Sequence, residues 1–337
     1  MLTYGMYRVL TWVTAVMLPP MAIFFPLFTL MEDAGLLPRI AYNLDRCFAR
    51  CSTCGKQALS MCMGFGCNAA GVTGCRIIDS PRERLIAVLT NSFVPCNGRF
   101  PLLISLSALF FAKGESGAAG ALFLAAAVVF SVAVTLLVSA FLSKTVLRGM
   151  PSSFVLEMPP YRRPMILSVL VRSVLDRTVY VLGRAAAVAA PAGIVIWILA
   201  NTPADGRSLY EQLAGFLDPA GRLLGMDGVI LTAFLLSFPA NETVIPLIMM
   251  GYLSAGTLEE VPSLSALSSL LAENGWTAVT AVCVMMFSIL HWPCSTTLWT
   301  IRRETGSLRW TALAFVLPTV CGILLCSLIA FFSRIAL

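Results

Sequence analysis

A chain of 337 residues that is 58% hydrophobic and 12% charged is unlike a soluble domain, in which roughly a quarter of residues are charged. With a mean hydropathy of +0.86 it reads as a polytopic membrane protein. The net charge of +6 fits basic cytoplasmic loops and gives no reason to invoke nucleic acid.

A bilayer span needs about 20 apolar residues. The first run, 9–31, follows Arg8 and is interrupted by Pro19, Pro20 and Pro26. It lacks a small-residue cleavage site and so is no signal peptide. The loop CFARCSTCGKQ brings Cys47, Cys51 and Cys54 together without a clear fourth ligand. It is either a metal-handling or redox-sensitive cluster or three reduced thiols without a role. Residues 58–75, ALSMCMGFGCNAAGVTGC, are too short and too rich in glycine to span, and 85–111 are cut by PCNGRFP. Residues 118–142 form an uninterrupted span, as do 179–200 and 310–332. Between them, 229–252 carry FPANE at their centre and 277–301 are cut by HWPC.

Loop charge orients these elements. Residues 143–177 hold Lys144, Arg148, Arg162, Arg163, Arg172 and Arg177, and 302–309 hold Arg302, Arg303 and Arg309, which assigns both to the cytoplasm. Residues 201–228 are net acidic, and 253–274 carry Glu259, Glu260 and Glu273 with no basic residue, so both lie outside. The segment 229–252 then enters and returns on the outer side. The segment 58–75, flanked by Lys56 and Arg76, does the same from the inner side. The cytoplasmic stretch 165–178 is amphipathic and reads as a linker helix.

The halves match in order. AVMLPP at 15–20 resembles AVAAPA at 187–192, with an offset of 172 between Pro19 and Pro191. GFGCNA at 64–69 resembles SFPANE at 237–242, and PCNGR at 95–99 resembles PCSTT at 293–297 after a longer loop. The expected fold is therefore all-α, with two inverted-topology gate repeats, each holding a re-entrant hairpin and broken helices. Residues 1–145 form the first repeat, 146–178 a cytoplasmic linker and 179–337 the second repeat. Inverted repeats with broken helices are a transporter arrangement, with the site at the midplane.

The breaks collect the chemistry: Cys67 and Asn68; Cys96 and Asn97; Asn241 and Glu242; Cys294, Ser295 and Thr296. An ionisable side chain at bilayer depth costs at least ~2.5–3.5 kcal/mol, so Glu242 needs a reason to be there. Thiols, amide oxygens, hydroxyls and one carboxylate suit a soft or borderline divalent metal. Cys96 and Cys294 follow a break proline at matching positions and read as ligands. Asn68 and Asn241 serve as ligands or as partners for freed backbone groups. Glu242 serves as ligand, helix cap or both. His291 reads as a packed core histidine, and the methionine-rich stretches as lipid-facing or core filler. A phosphate or sugar site would want arginine clusters or aromatic platforms, and only Arg99 is near. There is no GxxxxGK[ST] loop, because position 50, where its first glycine would stand, is Arg50.

The stretches GKQALSMCMGFGCNAAGV, CRIIDSPRERLIAVLTNSFVPCNGRFP, DRTVYVLGRAAAVAAPAG, FPANETVIP and PCSTTLWTIRRETGS resemble the membrane domain of the ferrous iron transport protein B (FeoB) family. The resemblance covers nearly the whole chain. It implies two gate regions related to the nucleoside-recognition gate family, Fe2+ as the transported ion, and no permanently bound cofactor. The family's motif cysteines fall on Cys67, Cys96 and Cys294, and its second-gate acid on Glu242. It further implies a bacterial cytoplasmic membrane, a GTP-binding domain in cis or in trans, and small FeoA-like partners. Homo-oligomer formation is left open. Family members carry the GTP-binding domain and a first span ahead of the segment starting here near Tyr7. The expectation is thus a split-gene product, a truncated form or an excised membrane domain, with residue 1 outside and no enzymatic activity of its own. Two alternatives stand beside iron transport: a gate protein for a nucleoside-like solute, and an inactive or regulatory membrane subunit.

Overall fold

The computed structural model describes residues 2–51, 53–111, 118–147, 179–204, 206–258 and 263–336. Among these, six helical stretches are long and apolar enough to cross a membrane: Gly5–Asp33, Pro81–Phe111, Ala118–Lys144, Leu182–Asn201, Ala278–Thr305 and Leu308–Ile335. The only strands among the described residues are the two-residue pair Pro203–Ala204 and Arg207–Ser208. The protein is an all-α, multi-pass integral membrane protein. That is the solution an apolar chain is forced to, because backbone groups in lipid must be satisfied within the helix.

The first half runs α1 (Arg8–Asp33), α2 (Leu36–Arg50), α3 (Lys56–Gly66), α4 (Asn68–Gly74), α5 (Pro81–Thr90), α6 (Phe100–Phe111) and α7 (Ala118–Lys144). The second runs α8 (Tyr180–Asn201), α9 (Leu209–Leu223), α10 (Gly228–Leu236), α11 (Val244–Tyr252), α12 (Leu264–Glu273), α13 (Ala278–Leu290), α14 (Ser295–Thr305) and α15 (Leu308–Ala336). The linker 146–178, with the amphipathic segment expected over 165–178, lies outside the described residues except for 146 and 147.

One expectation is corrected at once. Residues 9–31 are not interrupted: α1 continues through Pro19, Pro20 and Pro26 as a single helix. Each proline removes one backbone donor, whereas ending the helix in an apolar surround would strand several groups. The other breaks fall where expected. Cys67 is extended between α3 and α4 (φ −155°, ψ 125°). Residues 237–240 and the tight turn Asn241–Thr243 separate α10 from α11. Val94–Cys96 interrupt α5–α6, and His291–Cys294 interrupt α13–α14.

Side-chain ties sort the segment ends into two groups. At one end, Arg76 forms a two-point ion pair with Glu304 (2.8 and 2.6 Å), Arg184 donates to Thr300 Oγ1 (3.0 Å), Arg82 bonds Ser143, and Lys56 pairs with Asp79. At the other, Arg8 donates to Thr257 (3.4 Å), Ser254 donates to Glu211 (2.7 Å), and Trp276 Nε1 donates to Tyr252 Oη (2.8 Å). Tyr252 in turn donates to Asp227. Both arms of α3–α4 thus begin and finish with the first group, and both arms of α10–α11 with the second. The first group is the end that loop charge assigns to the cytoplasm. The two hairpins approach from opposite ends, as inverted repeats require.

Each half also places a helix between its first span and its hairpin, α2 and α9, where the sequence was read only as charged flanks. Helix α9 opens with a Ser208–Glu211 capping box and meets α10 at a bend of 108°. Helices α1 and α8 pack together across the halves. The π-helical turn Leu2–Tyr7 that leads into α1 packs on α8 as well: a Cβ on Gly5 would stand 3.0 Å from the Gly193 carbonyl, and one on Gly193 only 2.8 Å from that of Gly5, so this approach requires two glycines.

Candidate functional site

Residues 67, 96, 241 and 294, far apart in sequence, meet at one small cavity of about 40 Å³. That volume holds an ion or one to three waters. The α3–α4 tip contributes Cys67 and Asn68, the α5–α6 break contributes Cys96, the α10–α11 tip contributes Asn241 and Glu242, the α13–α14 break contributes Cys294, and α14 contributes Thr296. Asn97 and Ser295 are not among the lining residues; Gly98 lines the cavity instead. Ser295 uses its backbone N–H to bond the Phe238 carbonyl (3.0 Å), which ties α14 to the α10–α11 turn.

Glu242 is buried, and its Oε1 has no hydrogen-bond partner among the described residues. Asn241 Oδ1 is likewise unpartnered. Trp12 Nε1 donates to the Glu242 backbone carbonyl (3.2 Å), so α1 holds the turn without occupying the carboxylate. A buried acceptor left without a donor costs about 1–3 kcal/mol, more when charged, unless something else satisfies it. Two such oxygens, on neighbouring residues that both line the cavity, therefore ask for a cation or a proton donor.

The thiols of Cys67, Cys96 and Cys294 are free. Cys294 Sγ lies 3.1 Å from Thr297 Oγ1. Among the described residues no three His, Cys, Asp or Glu side chains stand close enough together to hold a metal ion. The donors share a cavity without forming a closed coordination shell. Asn68 serves the backbone: with its amide nitrogen turned toward the acceptors it donates to the carbonyls of Val94 (3.1 Å) and Gly64 (3.2 Å). The Asn68 carbonyl accepts from Asn91 Nδ2 (3.1 Å).

Sequence reasoning missed three contributors and placed a fourth near the breaks without a role. Met17 and Met21 line the cavity from α1, and Trp12 acts as described. The fourth, Arg99, is 1% exposed and donates to the carbonyls of Ser92 (3.0 Å), Ile289 (2.8 Å), His291 (3.3 Å) and Trp292 (3.4 Å). A helix C-terminus leaves its last carbonyls unpaired, and Arg99 supplies donors to those of α13 from the other broken span. The pairing of PCNGR with PCSTT was a visible signal for the position, but not for what the guanidinium would reach.

His291 is a packed core residue: its Nδ1 lies within reach of the Ser288 (2.8 Å) and Phe287 (3.1 Å) carbonyls, and its ring packs among Phe234, Phe287 and Trp292. In the expected thiol cluster, Cys54 is buried and Cys51 half-buried, while the Cys47 side chain lies outside the described ones. Burial, with Glu83 nearby, pushes the Cys54 thiol up to about 12, so it stays protonated at neutral pH.

A family profile described as nucleoside recognition, the gate family, matches residues 14–110 and 182–308, one stretch in each half. A second, described as the C terminus of ferrous iron transport protein B, matches residues 124–176. The chain is 30% identical over 312 residues to the Fe(2+) transporter FeoB of Staphylococcus aureus (strain MSSA476), covering 90% of this chain and 45% of that protein. It is 28% identical over 315 residues to the Fe(2+) transporter FeoB of Methanocaldococcus jannaschii, covering 89% and 44%. It is 24% identical over 349 residues to the Fe(2+) transport protein A/Fe(2+) transporter FeoB fusion protein of Porphyromonas gingivalis, covering 89% and 40%. The chain spans less than half the length of these relatives. No solved structure matches it.

Proposed function

The chain belongs to the gate family, as the membrane part of a FeoB-type protein, and on that premise we propose that it carries ferrous iron through the cavity at its four breaks. The observation that carries this reading is the buried Glu242 carboxylate, with an unpartnered oxygen, in a cavity shared with three free thiols. Fe2+ is a borderline ion that accepts both sulfur and oxygen donors. Glu242 compensates its charge, and Cys67, Cys96 and Cys294 supply softer donors. Because the donors are not gathered into a closed shell, the ion is held weakly enough to leave, which conduction requires.

A nucleoside-like solute fits less well. Small-molecule sites are clefts of about 300–1,000 Å³, whereas this cavity is about 40 Å³ and its lining includes no aromatic side chain. The power source in this proposal is a GTP-binding domain, joined in cis or supplied in trans. A FeoA-like partner is supported by the name of the Porphyromonas gingivalis relative.

The test is anaerobic Fe2+ uptake by proteoliposomes holding this chain, beside Glu242→Gln and a Cys96→Ser/Cys294→Ser variant. Uptake is expected to fall about tenfold or more in each, equivalent to about 1.4 kcal/mol or more. Undiminished uptake in both variants would sink the pathway assignment. No uptake by folded wild-type protein would show that the chain is not a self-sufficient permease: either a GTP-binding domain and a first span are required, or this form is inert.

A further inference from the structure

We propose that Met17 and Met21 form a thioether wall of the central cavity, and that this site also binds a soft monovalent cation, Cu(I). The inference rests on reading the cavity as a metal site and names a second class of ion for it.

The two methionines stand four residues apart on α1, so they share one face of the helix, and both line the cavity. Met21 is buried in one cluster with Cys67, and Met17 packs against that cluster. Methionine in an apolar helix is ordinarily a gap-filler. Here the two side chains share a small space with three free thiols and an unpartnered carboxylate oxygen.

The donor balance favours a soft ion. Five sulfur side chains, those of Met17, Met21, Cys67, Cys96 and Cys294, line the cavity against the single carboxylate of Glu242. Thioether sulfur selects Cu(I), whereas carboxylate and amide oxygens serve harder divalent ions. Charge points the same way. The Arg99 guanidinium is buried near the breaks, so the net negative charge available to a guest is small. The cost of leaving water rises with the square of the charge, which gives a monovalent ion about a quarter of a divalent ion's cost. Thioethers also ligate without releasing a proton, whereas each thiol must lose one.

The test is an anaerobic competition titration of the reduced full chain against a chromophoric Cu(I) chelator, beside an Fe2+ titration of the same preparation. Leucine conserves methionine volume, so Met17→Leu/Met21→Leu should fold, and each single variant is measured alongside it. Cu(I) affinity is expected to drop about tenfold or more in the double variant, with each single variant between it and wild type. Equal Cu(I) affinity in wild type and double variant would overturn the proposal. A wild type that binds Fe2+ but not Cu(I) would overturn it too, and would leave the iron reading standing. Methionine-dependent Cu(I) binding without Fe2+ binding would uphold this proposal and remove the iron reading instead.

Discussion

A Cβ at position 98 would come within 2.8 Å of Glu242 Oε2, so the carboxylate occupies room that a glycine leaves open. The closest atom is the end of a flexible side chain, and alanine would displace it rather than unfold the protein. Gly98→Ala is therefore expected to melt within a few degrees of wild type yet to lose Fe2+ uptake about as severely as Glu242→Gln. Uptake at the wild-type rate would show that the position of the carboxylate does not matter. The same scale explains why Asn68 and Asn241 read alike in sequence and differ in structure. Asn68 gives its amide to backbone carbonyls, whereas Asn241 leaves an acceptor unpaired at the cavity.

At the scale of elements, the broken spans are joined both by packing of α6 on α13 and by one side chain. Arg99 reaches the carbonyls of Ile289, His291 and Trp292 from the opposite repeat and that of Ser92 from its own. Replacing it by methionine would leave three buried carbonyls and one part-buried carbonyl without this donor, a loss of about 3 kcal/mol or more at about 1–3 kcal/mol for each buried acceptor left unpaired. Lysine keeps the charge but lacks the planar fork that spreads over several acceptors. Arg99→Lys is expected to recover part of that loss, read as a thermal midpoint between those of Arg99→Met and wild type. Identical midpoints for all three proteins would show that the freed carbonyls find other donors. The exposed Arg76–Glu304 pair, by contrast, is worth at most about 1 kcal/mol on the general scale of surface ion pairs.

At the scale of the whole molecule, the two hairpins are tied to opposite ends of the bundle. Thr145, at the end of α7, and Ser265, on α12, then face opposite sides of the membrane. An impermeant maleimide added outside sealed, right-side-out vesicles is expected to label Ser265→Cys and spare Thr145→Cys, each made in a background whose native cysteines are counted separately. Labelling of both from one side would break the inverted arrangement and, with it, the convergence of the four breaks at one depth.

Much of this architecture was legible in the chain before folding. Apolar runs that must satisfy their own backbone can only become helices. Proline, glycine and asparagine at GFGCN, PCNGR, FPANE and HWPC mark where those helices stop. These are local properties, and they hold whatever packs nearby. The unbroken course of α1 through three prolines was not legible, because it depends on the cost of the alternative in its surroundings. Nor were the places of Trp12, Met17, Met21 and Arg99. A methionine is filler or ligand, and an arginine is loop charge or helix cap, according to what stands opposite. Residues 67, 96, 242 and 294 became neighbours only when the chain folded. Sequence by itself determined the helices and their breaks; tertiary structure decided which breaks share a cavity, since that depends on contacts between segments from opposite halves of the chain.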